Sequence, residues 1–373
     1  RAGLALTPGP PVRATLLAAR ADAQAAHGEI AEAVHDLRSA LAETGQGPTR
    51  SRRLSRLAML TFGAQDPPRA AELAELALVE AGSDAAARAL ALDTAAVVDM
   101  NLGRARRARD RSETALRLYQ ELGDARGVAR ILDSRAMATF LDGRITDGVD
   151  LFERVAALFT DSGELVRVVT PRSTRGHGLV FGCRAADGLA EASAALRLGR
   201  ELDSPEGQAY ALWHRSEALS ALARVEEAES DAREALGIAR GVGHRGWTAT
   251  AHRALGIALQ ARGELDDAAA AYAASAEVAD ESLTLFASWA AARSALVAVA
   301  RGLLDDADAL VTRALAVGPP LGHYEARLAE AELAVARGDP AAGTLAGTAL
   351  DRATAGGHIA STARLAELAA GCR

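Results

Sequence analysis

Apolar residues recur along this chain at the 3.6-residue spacing of helices, and the helical stretches themselves recur. Each recurrence opens on a short phrase: a turn residue, often glycine, then an apolar residue two positions on and a small residue five positions on. Gly28-Glu-Ile30-Ala-Glu-Ala33, Gly143-Arg-Ile145-Thr-Asp-Gly148, Gly263-Glu-Leu265-Asp-Asp-Ala268 and Gly302-Leu-Leu304-Asp-Asp-Ala307 are instances. The turn position falls at 28, 65, 103, 143, 183, 223, 263, 302 and 338, a period near 40 residues. Such regularity predicts helix, turn, helix and linker, repeated about nine times.

Three columns of small residues explain the register. Seven residues before each turn stand Ala21, Ala58, Ala96, Ala136, Gly176, Ser216, Gly256, Ala295 and Ala331. Five after it stand Ala33, Ala70, Ala108, Gly148, Gly188, Ala228, Ala268, Ala307 and Gly343. Twelve after it stand Ala40, Ala77, Ala115, Val155, Ala195, Ala235, Ser275, Ala314 and Leu350. Small residues at fixed places let two antiparallel helices approach closely while larger neighbours interdigitate. In the last repeat Ala342 and Ala349 would restore alanine through a one-residue slip.

Boundary signals agree with this division. Asp66-Pro67, Ser204-Pro205 and Asp339-Pro340 each couple an N-cap residue to a proline at the first helical position. Glycine-containing breaks such as Glu43-Thr44-Gly45, Glu121-Leu122-Gly123 and Val317-Gly318-Pro319-Pro320 separate the repeats. Residues 1 to 12 read as a linker or the tail of a preceding repeat, and residues 13 to 372 as one repeat domain.

Composition narrows the class. Hydrophobic residues make up 49% of the chain but aromatics only 3%, which favours close-packed helices over a sheet. All 42 basic residues are arginine, so neither a phosphate-loop lysine nor a Schiff base is available within these 373 residues. The net charge of −7 gives no general attraction to nucleic acid or an anionic membrane. Cys183 and Cys372 form neither metal-ligand spacing nor a disulfide framework, which points to a reducing cytoplasm. No apolar run approaches the ~20 residues of a membrane span. The chain starts at Arg1 without a signal-peptide pattern and reads as a piece of something longer.

The repeat resembles the tetratricopeptide repeat, whose pattern places small residues at its eighth, twentieth and twenty-seventh positions. Leu255-Gly256 is similar to that family's Leu-Gly pair, Tyr272 to its second-helix aromatic and Pro319 to its terminal proline. The resemblance covers nearly the whole chain. It departs in period, near 40 rather than about 34. Longer repeats of this kind resemble those of large bacterial signal-transduction ATPases of the maltose-operon activator type. The resemblance implies an all-α, right-handed solenoid of about nine antiparallel helix pairs.

Thr174-Arg-Gly-His-Gly-Leu-Val-Phe-Gly182 looks like a phosphate loop, but it lacks the preceding strand and the lysine that such loops need. The register gives Gly176 to the packing column and Gly182 to the turn; Gly178 has no such post. With Pro171 just upstream, a kink or hinge is expected here, because an interior glycine costs about 1 kcal/mol relative to alanine. The eight histidines show no zinc spacing, although His177, His214 and His252 fall on consecutive first helices and could be neighbours. Acidic pairs Glu226-Glu227 and Asp266-Asp267 complement the dipole of second helices. Arginine clusters at 50 to 56 and 104 to 111 lack aromatic partners and read as solvated faces. No nucleophile–histidine–acid constellation is assembled by the repeat geometry.

A binding groove is the remaining reading. In the resembled family, residues at set positions of each first helix point into the concave face. Carried over, these are Asp93, Asn101, Arg130, Asp133, Thr170, Ser173, His177, Tyr210, Trp213, Glu217, Thr250, Arg253 and Trp289. The expected role is a non-catalytic sensor module of a larger bacterial regulator, without metal or cofactor, taking a protein or peptide segment or a small effector in the groove. ATPase or DNA-binding domains attached in the parent chain belong to this expectation, and direct binding of nucleic acid or membrane does not. A scaffold for self-association or docking is the alternative, with an enzyme of unrecognised site behind it.

Overall fold

The structure is a computed structural model that describes residues 9–26, 29–63, 66–102, 104–279 and 283–371. Its described residues form α-helices and one short 3-10 turn, with no strand. The expected turns at 28, 65 and 103 lie outside the described residues. Two compact units divide the chain, residues 1–135 and 136–373.

In the first unit lie α1 (Pro10–Ala26), α2 (Ile30–Ala42), α3 (Pro48–Gly63), α4 (Pro67–Ala81), α5 (Ala85–Asn101) and α6 (Ala105–Glu121), followed by the start of α7 (Ala125–Leu141). Its core is built largely from alanine and leucine, among them Ala33, Leu37, Leu54, Leu57, Leu73 and Ala77.

The second unit continues with α8 (Ile145–Asp161), α9 (Leu165–Phe181), α10 (Ala185–Glu201), α11 (Pro205–Ala221), α12 (Val225–Gly241), α13 (Arg245–Ala261) and α14 (Leu265–Ala279). After these come α15 (Thr284–Ala300), α16 (Leu304–Ala316), α17 (Pro320–Ala336), α18 (Ala342–Gly356), the 3-10 turn Ile359–Ser361 and α19 (Thr362–Gly371). Each helix packs on the next, and the first helices α9, α11, α13, α15 and α17 also pack on one another in sequence. First helices therefore form the inner layer of this unit.

Close approach within a pair occurs where the small columns predict it. Gly176 and Gly188 face each other so tightly that a Cβ on Gly176 would lie 2.8 Å from the Gly188 carbonyl oxygen. At the same two register positions one repeat later, the Ser216 hydroxyl donates to the Ala228 carbonyl at 2.7 Å. The third column meets the start of the first helix: Ser51 donates to Ala77 O, Ser275 to Ala249 O and Ser288 to Ala314 O. In the last repeat the buried residues are Ala342 and Ala349, the slipped register.

Turns between paired helices need a left-handed residue, and Gly143, Gly263, Gly302 and Gly338 supply it. Cys183 and Ala223 adopt the same conformation with φ of 58° and 57°, so the connection keeps its form where glycine is missing. Asp66 and Ser204 cap α4 and α11 as expected, accepting from Arg69 N and Gly207 N. The third such pair differs: Asp339 accepts from Ala341 N within a turn, and α18 starts only at Ala342. No described helix is long and apolar enough to cross a membrane.

The expected kink is absent as a break. α9 runs continuously from Leu165 to Phe181 through Pro171, which is buried. Packing against α8, α10 and α11 holds the helix despite the missing amide. Gly178 has a post after all: a Cβ there would sit 2.5 Å from Val149 Cγ2 and 3.1 Å from Phe140 Cε2. It is the contact point of α9 with the α7–α8 hairpin, a role outside the three columns.

Candidate functional site

The inner layer of the second unit gathers the chain's scarce aromatic and buried ionic side chains. α9 brings His177 and Phe181, α11 brings Trp213, His214 and Glu217, and α13 brings Arg253. α15 adds Trp289 and Arg293, and α17 adds Tyr324 and Glu325. Each lies on a first helix, so the repeat itself turns them to one face.

An ionic chain runs through this cluster. His177 Nε2 is 3.0 Å from Glu217 Oε2, and Arg253 donates to Glu217 Oε1. The second Arg253 amine reaches both oxygens of Glu325 at 2.9 Å, and Arg293 also donates to Glu325. Arg253 is only 1% exposed, and its guanidinium stacks 4.6 Å from the Trp289 ring centre. Rings surround the chain: His177 lies 4.3 Å from Phe181, 5.2 Å from Trp213, 5.0 Å from His214 and 5.6 Å from Trp289.

The electrostatics follow from burial plus charge. Desolvation alone would raise both carboxyls, but Arg253 with His177 holds Glu217 well below its ordinary value. Glu325, beside Arg253 and Arg293, is likewise lowered to about 2. Burial works against the charge of Arg253, yet the two carboxylates push its pKa up. His214 is driven far down by burial, then by the charge of His177. Each oxygen of both carboxylates accepts a hydrogen bond, so the cluster is a fully bonded ion-pair and stacking arrangement.

Most of the residues expected to line an open groove are buried here, because the inner helices close on one another. Arg253 of α13 reaches Glu325 of α17, and Tyr324 of α17 donates its hydroxyl to the Gly143 carbonyl at 2.8 Å. His177, Trp213, Glu217, Arg253 and Trp289 stand together in the cluster. Ser173 and Thr250 are buried and spend their hydroxyls on Val169 O and Gly246 O. Tyr210 is half-buried with its hydroxyl 2.9 Å from Thr174, while Thr170 is exposed. In the first unit, Arg130 donates to the Tyr119 hydroxyl at 3.3 Å and lies 3.6 Å from buried Asp93. Asp133 is half-buried, and the side chain of Asn101 falls outside the described residues.

Of the three histidines expected as neighbours, His177 and His214 meet, but His252 turns to Arg240 at 3.1 Å. Sequence reasoning missed Phe181, Arg293, Tyr324, Glu325 and His358. Glu325 had a signal, since it holds the register of Thr170, Tyr210, Thr250 and Trp289, thirteen residues before the turn. Also missed was a clamp eight residues either side of the turn. Arg20 grips Asp36 and Arg215 grips Asp231 through paired bonds of 2.5 and 2.6 Å, and Arg175 meets Glu191 at 2.7 Å. Among the described residues no group of three or more His, Cys, Asp or Glu is placed to hold a metal ion.

No known protein-family pattern matches the chain, and no curated protein is detectably similar to it. Solved structures share its fold. A Rap protein complexed with Competence and Sporulation Factor is 13% identical with a TM-score of 0.60, over 87% of this chain and 98% of that one. A signal transduction ATPase with numerous domains, carrying a tetratricopeptide repeat sensor and taken from Pyrococcus horikoshii, is 11% identical with a TM-score of 0.54. That alignment covers 81% of this chain and 47% of the other. The fold is thus a tetratricopeptide-like, all-α helical repeat.

Proposed function

We propose that this chain is a non-catalytic binding module of a larger regulatory protein, and that the inner face of its second unit receives a protein or peptide segment or a small effector. One observation carries the reading: in a chain with 3% aromatics, three ring-bearing helices converge on a buried Glu217–Arg253–Glu325 chain. Ordinary apolar packing would fill a helical repeat without desolvating three charges. Arginine and aromatic side chains are what binding faces use as anchors, and a desolvated ion-pair chain offers two arrangements, closed and partner-bound. The fold it shares with a Rap protein complexed with Competence and Sporulation Factor, and with an ATPase bearing a repeat sensor, supports the same reading.

Thermal unfolding across a panel of peptides and small effectors tests it. A true ligand stabilises by mass action, about 2.7 kcal/mol at a hundredfold excess over Kd. A chain that forms defined oligomers and responds to no ligand would instead be a scaffold. A turnover activity abolished by a point change in these residues would overturn the non-catalytic assignment.

A further inference from the structure

The last helical pair ends in a segment that reaches back into the inner face. α18 stops at Gly356, Gly357 adopts a left-handed φ of 84°, and a single 3-10 turn follows before α19. Gly357 lies so close to α8 that a Cβ there would be 2.5 Å from Thr146 Oγ1. Next in sequence, the His358 imidazole is inserted between two aromatic rings. Its centre lies 4.6 Å from Phe181, tilted 31°, and 5.1 Å from Tyr324, tilted 24°. Ser361 Oγ and His358 Nδ1 share a 2.9 Å hydrogen bond that fixes the ring.

Two facts mark the imidazole as a poor fit for this slot. His358 is 3% exposed, yet its Nε2 has no hydrogen-bond partner among the described residues. An unpaired buried polar atom is costly, whereas a plain aromatic ring would fill the same space without that cost. The neighbouring Ile359 stays 37% exposed, so His358 is the large side chain that the turn inserts into the inner layer. The slot also sits at the closure of the inner layer, where Tyr324 bonds the Gly143 carbonyl.

We propose that residues 356 to 361 form an internal strap whose His358 ring occupies a recognition slot for an aromatic side chain of a partner peptide. The partner's ring enters between Phe181 and Tyr324 as the strap withdraws His358 from between them. This rests on the reading that the inner face of the second unit binds a partner. It goes further by naming the ring-bearing chemistry of the ligand and the segment that competes with it.

Removing the competitor and offering rings in its place is the test. His358→Ala should lower the melting temperature, and millimolar indole should restore a few degrees of it while leaving the unaltered chain unmoved. Cyclohexanol, apolar but not aromatic, should restore much less. His358→Phe should melt higher than the unaltered chain and ignore indole. If His358→Ala does not fold, Ser361→Ala decides: hydrogen exchange of residues 356 to 362 should quicken about tenfold, with a partial indole response. Equal rescue by cyclohexanol, or no response in either variant, would overturn the proposal. Ring rescue without any peptide binding elsewhere on the inner face would instead sink the functional reading and leave the slot standing.

Discussion

A buried guanidinium costs several kcal/mol to desolvate, and Arg253 tolerates 1% exposure because Glu217 and Glu325 both accept from it. Glu325→Ala leaves Arg253 and Arg293 short of a counter-charge and should destabilise the fold by about 3–5 kcal/mol in urea unfolding. Replacing the chain as a unit (Glu217→Gln, Arg253→Met, Arg293→Met and Glu325→Gln together) should cost less than that single change. A Glu325→Ala loss below about 1 kcal/mol would show that the chain is not desolvated as described. The histidines set the pH dependence. Burial lowers His358 to about 4 from an ordinary 6.5, and burial likewise holds His214 well below its ordinary value. Below 6.5 the unfolded chain therefore binds more protons than the native one, and stability falls as pH drops from about 6.5 toward 4. Glu217 and Glu325 act lower: their contribution is present above about 4.5 and is lost as pH falls toward their depressed native values. Urea midpoints between about pH 7 and 4 should show the first stage, and His358→Phe should remove its own share while His214, His244 and His252 keep the rest.

At the scale of single helices, glycine is the informative residue. Read from sequence, Gly178 is a weak spot, and alanine there would gain about 1 kcal/mol of helix propensity. Packed against Val149 and Phe140, the same position has no room for a methyl group. Gly178→Ala should therefore destabilise by about 1–3 kcal/mol through overpacking, and a rise in melting temperature would restore the weak-helix reading. The contrast shows what was legible. The three small columns announced the helix pairs because intrapair approach repeats with the period, and Gly176 opposite Gly188 follows from that repetition alone. Gly178 touches a neighbouring pair only once, so periodicity carried no trace of it. Pro171 misled for a related reason: a local rule marks the missing amide but not the packing on both sides that holds α9 together.

At the scale of the second unit, the resemblance to tetratricopeptide repeats put His177, Trp213, Glu217, Arg253 and Trp289 on one face, and in the structure they meet. Their burial was not legible, because it depends on how far successive first helices curve before α17 meets the α7–α8 turn and α13. Closure is made by pairs remote in sequence, Tyr324 with Gly143 and Arg253 with Glu325, and no local pattern encodes such separations. His358 was hidden more deeply, since it lies beyond the last repeat and belongs to no column. The most direct measurement of the central claim is a hydrogen-exchange footprint of this chain with a peptide selected against it by display. Binding at the inner face predicts changed exchange in α9, α11, α13, α15 and α17, together with release of residues 356 to 361. A footprint confined to α10, α12, α14 and α16, with the inner helices unchanged, would contradict it.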